Sequence, residues 1–268
     1  MLYKTRLFFT GILINLQFFT SIPIKSRFSL DQHQLKYMLR TFPVLGLLQG
    51  SIYAAFIYIL QSFTPFTNLL MTLFLWLLLI ILSGGIHLDG WIDASDAYFS
   101  YKEPEKRLEV MKDPRTGAFG VLSVIVLLFT RFIVLYELIQ AEHTAALLFI
   151  ILIPFLGKML LGVFLQILPS ARKDGMASFF QRGKSSSLFG MYAIYLVIIG
   201  SFIAWLQMDL LFAYLLFITV TIIAGLFIAR SIMKNFNGIT GDTLGASSEG
   251  MELLLWLTLL LLHYFAMV

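Results

Sequence analysis

Apolar residues in this chain come in long blocks, not in alternation. A membrane-crossing helix needs about 20 mostly apolar residues, and seven windows supply them: 41–60, 67–84, 118–140, 144–168, 188–206, 210–229 and 251–268. An eighth block, 7–22, is shorter and carries Asn15 and Gln17. It is expected to be an interfacial or re-entrant helix, with a tilted span as the alternative. Lys4 and Arg6 precede this block as they would in a signal peptide, but no small-x-small cleavage site follows. The N-terminus is therefore expected to be retained.

The polar connections alternate in length. Segments 25–40, 86–117, 169–187 and 230–250 are long and hold nearly all the Lys and Arg, whereas 61–66, 141–143 and 207–209 are short and hold none. The positive-inside rule puts the long segments in the cytoplasm, and an odd number of spans then puts the C-terminus outside. The expected architecture is all-α, a polytopic membrane helix bundle. It has about seven spans plus the short N-terminal helix, in a single domain over 1–268 whose active site is formed by loops 86–117 and 230–250.

Composition agrees. Hydrophobic residues make up 59% of the 268 positions and charged residues 13%, with a mean hydropathy of +0.87. Soluble domains average about 25% charged residues, so lipid is the expected solvent. The basic pI, near 9.2, reflects loops that follow a membrane pattern, not a clustered nucleic-acid footprint. No nucleic-acid partner is expected. Cysteine is absent, which excludes disulfides and thiolate metal sites and leaves oxygen ligands and four histidines for any metal.

Against this background GGIHLDGWIDASDAYFS, residues 84–100, stands out. Asp89, Asp93 and Asp96 fall at i, i+4 and i+7, one face if the segment is helical. Three carboxylates so close repel one another unless a cation neutralises them. Oxygen-only ligands suit magnesium, manganese or calcium. A merely solvated helix start would explain one such aspartate, not three on a stripe. His87 lies off that stripe and is a candidate for hydrogen bonding to substrate or carboxylate, with metal ligation as the alternative.

Three further polar stretches carry candidate chemistry. In EKRLEVMKDPRTGAFG, residues 105–120, Lys106, Arg107, Lys112 and Arg115 bring positive charge close in sequence to the aspartates. Pro114 ends any helix before it, and Gly117 and Gly120 open the next span, whose N-terminal amides favour anions. The order reads as a phosphate cradle. In RSIMKNFNGITGDTLGASSEGME, residues 230–252, Asp242, Gly245, Ala246 and Glu249 share a helical face whose small residues permit close approach. Asn237 tolerates the left-handed turn that Gly238 and Gly241 favour, and Asp242 is also a candidate N-cap. In SARKDGMASFFQRGKSSS, residues 170–187, Arg172, Lys173, Arg182 and Lys184 suit anionic lipid or an anionic substrate. NLQFFTSIPI and FPVLGLLQG lack ionisable groups and read as packing segments. Arg131 and Lys158 lie about midway along spans. Such charges pair with acids from other helices or face a polar cavity, snorkelling being the alternative for Lys158.

Chemistry alone points to a membrane-embedded phosphotransferase: carboxylate-held magnesium clamps a diphosphate, a hydroxyl attacks one phosphorus, and a nucleoside monophosphate leaves. The motifs GGIHLDGWIDASDA, RLEVMKDPRTGAFG and NGITGDTLGASSEGME, in that order, resemble the cobalamin synthase family. NLQFFTSIPI, FPVLGLLQG and ARKDGMA are similar to its other signatures, and the likeness runs from about residue 10 to 255. The resemblance implies magnesium-dependent transfer of the cobinamide-phosphate moiety of adenosylcobinamide-GDP to α-ribazole or its 5′-phosphate. GMP is released, in the last stage of vitamin B12 nucleotide-loop assembly at the cytoplasmic face of the inner membrane.

Carried over by motif, the resemblance implies Asp89, Asp93, Asp96, Asp113, Asp242 and Glu249 as metal ligands. Asp96, Asp242, His87, Lys112 and Arg115 are implied as catalytic, with Asp96 or Asp242 as general base. Asn237 replaces an expected glycine, and AYFS after Asp96 departs from the small residues usual there. A homo-oligomer or a cobalamin-assembly complex is a possible further partner. A CDP-alcohol phosphotransferase is the nearest rival, but the rest of its aspartate pattern is missing here. A corrinoid or cation transporter using Arg131 and Lys158 is the rival from another class.

Overall fold

A computed structural model describes residues 2–140 and 144–265. Eleven helices form, and no strand does among the described residues. They are α1 (Leu2–Phe19), α2 (Gln32–Phe63), α3 (Asn68–Ser83), α4 (Ile86–Ser100), α5 (Pro104–Val110), α6 (Ala118–Gln140), α7 (Thr144–Ile167), α8 (Met176–Phe180), α9 (Leu188–Leu206), α10 (Leu210–Phe236) and α11 (Gly241–Tyr264).

Six of them, α2, α6, α7, α9, α10 and α11, are long and apolar enough to cross a membrane. The bent pair α3–α4 brings the number to seven if it counts as one span. The all-α membrane bundle expected from the apolar blocks is the fold found. The expected span 144–168 matches α7, and the connection 141–143 lies outside the described residues.

Two boundaries differ from expectation. Helix α2 starts nine residues earlier than the apolar window at 41, with Asp31 capping the amide of Gln34. Helix α11 starts at Gly241, not 251, with Thr240 as its cap. The stretch GDTLGASSEG is too polar to register as a span, yet its small residues make a helix that packs against its neighbours. Thr240 and Thr243 form the reciprocal capping box, so Asp242 is not the N-cap. The expected loop 230–250 shrinks to residues 237–240. Asn237 takes the left-handed conformation expected of it, with φ 57°.

The core is an axis of α2 against α7. Gly46 and Gly50 sit one turn apart on α2, and a Cβ on either would overlap the backbone of Pro154–Phe155 or Ile151. This is the small-xxx-small device by which membrane helices approach closely. Helix α1 crosses the start of α2, where Asn15 donates to the Met38 carbonyl at 2.9 Å and to Thr41 Oγ1 at 3.0 Å. The long connections meet at one end of the bundle. Ser21 N–H donates to Leu82 O, Arg107 reaches Asn235, and Ser170 forms an isolated parallel bridge with Ile239.

The decisive local feature is the break between α3 and α4. Gly84 and Gly85 are both left-handed, at φ 66° and 72°, a conformation that costs an L-residue about 1–2 kcal/mol each. The chain turns through 85° there. Helix α4 therefore runs across the loop-rich end of the bundle, not along it.

Candidate active site

Asp89, Asp93 and Asp96 occupy one face of α4. The fourth acid arrives from α11. Gly90 abuts the backbone of Asp242, and Gly245 abuts His87 and Gly90. No side chain separates the two helices at these points, so Asp242 is brought to the α4 carboxylates. Burial and the nearby charges of Asp89, Asp242 and Asp96 push the Asp93 carboxyl up to about 6. Among the described residues no three His, Asp or Glu side chains converge tightly enough to ligate one ion by themselves. The donor set still fits a hard divalent cation, because magnesium typically takes one or two carboxylates and completes its shell with water and substrate phosphate.

Asp96 is buried and accepts from Gly120 N–H at 3.4 Å. Gly117 leaves room for the same carboxylate, since a Cβ there would collide with it. The anion at the start of α6, expected to be a substrate phosphate, is therefore the side chain of Asp96.

The basic loop divides by role. Asp113 accepts from Arg115 Nε at 2.9 Å, and that guanidinium holds the exposed Asp113 carboxyl down to about 2. The two pair with each other, and Lys112 is exposed beside them. Arg107 is buried structure, not substrate charge. It donates to Tyr101 O at 2.8 Å and to Asn235 Oδ1 at 2.6 Å, and stacks on Tyr98. Thereby it ties α4, α5 and α10 together.

Glu249 and His87 both turn toward the buried cations of the bundle. Glu249 points into the bundle and pairs with Arg131 at 2.7 Å, with side chains 5% and 4% exposed. Its carboxylate thus sits in a buried ion pair that compensates the charge of Arg131 at depth. His87 faces away from the aspartate stripe. Its Nδ1 meets Lys158 Nζ at 3.3 Å, and Lys158 also contacts Ser248 Oγ at 3.1 Å and Glu252 Oε1 at 3.1 Å. Both mid-span cations are thus paired with acids of α11, one of the outcomes expected for them.

Arg172 lies beside Asp242. Ala171 N–H donates to Ile239 O and Ile239 N–H to Pro169 O, both at 2.9 Å, which draws the ARKDGMA segment onto the start of α11. Arg172 is held there by the Leu108 carbonyl and couples electrostatically to Asp242. Only the recurrence of a basic pair between spans signalled it, and that pattern equally describes lipid contact.

The chain is similar to known proteins along nearly its whole length. A family model described as cobalamin-5-phosphate synthase matches residues 11–260. Adenosylcobinamide-GDP ribazoletransferase of Geobacillus sp. (strain WCH70) is 35% identical over 263 residues, covering 97% of this chain and 98% of the relative. Its counterpart in Geobacillus thermodenitrificans (strain NG80-2) is 37% identical over 273 residues, covering 98% and 99%. That of Clostridium botulinum (strain 657 / Type Ba4) is 30% identical over 250 residues, covering 93% and 97%. No solved structure matches.

Proposed function

The chain belongs to the cobalamin-5-phosphate synthase family and carries out the last stage of cobalamin nucleotide-loop assembly, and we propose that it does so at a magnesium site on the α4–α11 wall, facing the cytoplasm from the inner membrane. The cobinamide-phosphate moiety of adenosylcobinamide-GDP passes to α-ribazole, or to its 5′-phosphate, and GMP leaves. The observation that carries the site is the meeting of Asp242 with Asp89, Asp93 and Asp96 at the loop-rich end of the bundle. The cytoplasmic orientation is supported by the Lys and Arg of those loops.

Asp89 and Asp93 hold the metal. Magnesium bound there supplies neutralisation of the diphosphate charge. Asp96 is buried and engaged by the Gly120 amide, so it shapes the wall and holds the start of α6 in place. Asp242 is less buried and takes the proton from the ribose hydroxyl. That oxygen forms a bond to the phosphorus bearing cobinamide, and the bond from this phosphorus to the GMP oxygen breaks. Arg172 balances the charge of Asp242, while Lys112 and Arg115 on the exposed loop meet the departing nucleotide. Transport has lost the observation that favoured it, since Arg131 and Lys158 are both neutralised inside the bundle.

The test is a coupling assay on detergent-purified protein. Adenosylcobinamide-GDP and α-ribazole are incubated with and without EDTA, and GMP and cobalamin are followed by chromatography. Stoichiometric, EDTA-sensitive formation of both is expected. Formation that is unaffected by EDTA removes the metal from the reading. Absence of product from folded protein removes the reaction.

A further inference from the structure

Away from the carboxylate wall, helices α7, α9 and α10 border an apolar groove of about 330 Å³. Its floor is buried, with Leu160, Phe164 and Tyr192, and its rim is exposed, with Ile167, Phe189, Ile222 and Leu226. All three helices are long and apolar enough to cross a membrane, so the rim opens to lipid. The hollow exists because α10 presents small residues to it. A Cβ on Gly225 would have a single neighbour within 4 Å outside its own helix, the Cδ1 methyl of Leu160 at 2.8 Å.

The lining says what kind of molecule fits. Its two hydroxyls are already engaged: Tyr192 donates to Leu39 O at 2.6 Å and Thr221 to Phe217 O at 2.8 Å. Among the described residues no lining side chain is left with an unmatched polar atom. A polar occupant would lose its hydrogen bonds to water and gain none here, so the groove suits a hydrocarbon. It runs from Leu156 to Ile167 on α7 and from Ile218 to Ala229 on α10. At 1.5 Å per residue that is about 16 Å, the depth of one leaflet in a hydrocarbon core about 30 Å thick. Ile167, Phe189 and Ala229 mark its end at the loop-rich side of the bundle.

That end carries cations and no acids. Helices α7, α9 and α10 contain no Asp or Glu, and neither does the connection 175–187. Arg40 donates to Ser187 Oγ, two residues before Phe189. Lys184 is exposed three residues before Ser187, and Arg230 is exposed next to Ala229. Among the described residues none of these three cations forms an ion pair with an acid. We propose that the groove holds an acyl chain of an anionic phospholipid from the leaflet on the loop-rich side, with the lipid phosphate facing Arg40, Lys184 and Arg230. Apolar length and charge select this occupant together, because basic residues at a membrane surface attract anionic headgroups. The wider cleft between α4, α10 and α11 lacks that complementarity, since α4 alone carries three aspartates. The inference does not depend on the transfer reaction.

The experiment is native mass spectrometry of the full-length protein, delipidated in detergent and titrated with phosphatidylglycerol or with phosphatidylcholine of the same acyl chains. Wild-type protein is expected to retain a single phosphatidylglycerol, bound about tenfold more tightly than phosphatidylcholine, the scale of lysine and arginine contacts near a membrane surface. The triple variant Arg40→Gln/Lys184→Gln/Arg230→Gln is expected to bind both lipids equally, at the phosphatidylcholine level. Gly225→Leu fills the groove from its floor and is expected to weaken both lipids about tenfold through lost apolar contact. Ala193→Leu fills it from an exposed position in the lining, so a loss of lipid shared by both variants is not a failure to fold. Four results overturn the proposal: no retained lipid, equal retention of the two lipids by the wild type, a preference that survives the triple variant, or retention untouched by both filling variants.

Discussion

Replacing Glu249 separates the two roles that its position allows. In the structure its carboxylate meets Arg131 at 2.7 Å with both side chains almost wholly buried, and Arg131 also donates to the Glu249 carbonyl. Glu249→Gln removes the countercharge and leaves the guanidinium buried. Breaking a buried pair from one side costs about 3–5 kcal/mol. For a chain of this size each kcal/mol moves the unfolding midpoint by roughly 2–4 °C, so a fall on the order of 10 °C is expected. Arg131→Met alone is expected to cost about as much, because it strands the carboxylate. The double variant Arg131→Met/Glu249→Gln is expected to recover most of the loss, since uncharged groups of similar size remove the desolvation problem. Tryptophan fluorescence during heating in detergent reads all four proteins, and magnesium titration of GMP release reads the site. Two results refute the reasoning. One is a double variant as unstable as the singles. The other is a double variant with restored stability but a magnesium half-saturation raised tenfold or more, which returns Glu249 to the metal.

Other outcomes follow from the same geometry. Asp93 is raised from 3.8 to about 6, so the folded state holds more protons than the unfolded state between those values. The metal-free protein should lose stability as pH rises through that window, and added magnesium should reverse the loss at pH 7; equal thermal midpoints at pH 4.5 and pH 7 without metal would contradict this. Gly50→Leu drives a side chain into the Ile151 backbone, and overpacking of about 1–3 kcal/mol or more should appear as poor monodispersity in size exclusion. Arg172→Gln should lower kcat about tenfold, the worth of one charge-assisted contact, with little change in thermal midpoint. If Arg172 only touches lipid, its kcat stays at the wild-type value.

The aspartate stripe was legible because it depends only on residue spacing: once 86–100 is helical, three carboxylates share a face whatever surrounds them. The left-handed turn at Asn237 was legible for the same local reason. The fourth acid was legible as a candidate but its company was not. Asp242 and Glu249 share a helical face, seven positions apart. Which of them meets α4 and which meets Arg131 depends on how deeply each sits, and depth is a tertiary property. The early start of α11 escaped because hydropathy averaging treats small polar residues as loop, whereas Gly245, Ser247 and Ser248 are there to let helices touch. FPVLGLLQG read as packing, and its Gly46–Gly50 spacing is what fixes the α2–α7 axis. Arg172 needed the bridge between Ser170 and Ile239, a pairing of loops far apart in sequence.

The two buried ion pairs also set an order of manufacture. Arg131 is synthesised 118 residues before Glu249, and Lys158 is synthesised 94 residues before Glu252. At about 5–20 residues per second, each cation waits seconds for its acid. During that interval α6 and α7 are hydrophobic segments carrying a charge whose paired acid, on α11, has not yet been made. The bundle therefore cannot settle helix by helix as it leaves the ribosome. Its last helix arrives as a latch, and the same stroke that neutralises the interior delivers Asp242 to the wall. An assembly intermediate without α11 would be both electrostatically incomplete and catalytically inert.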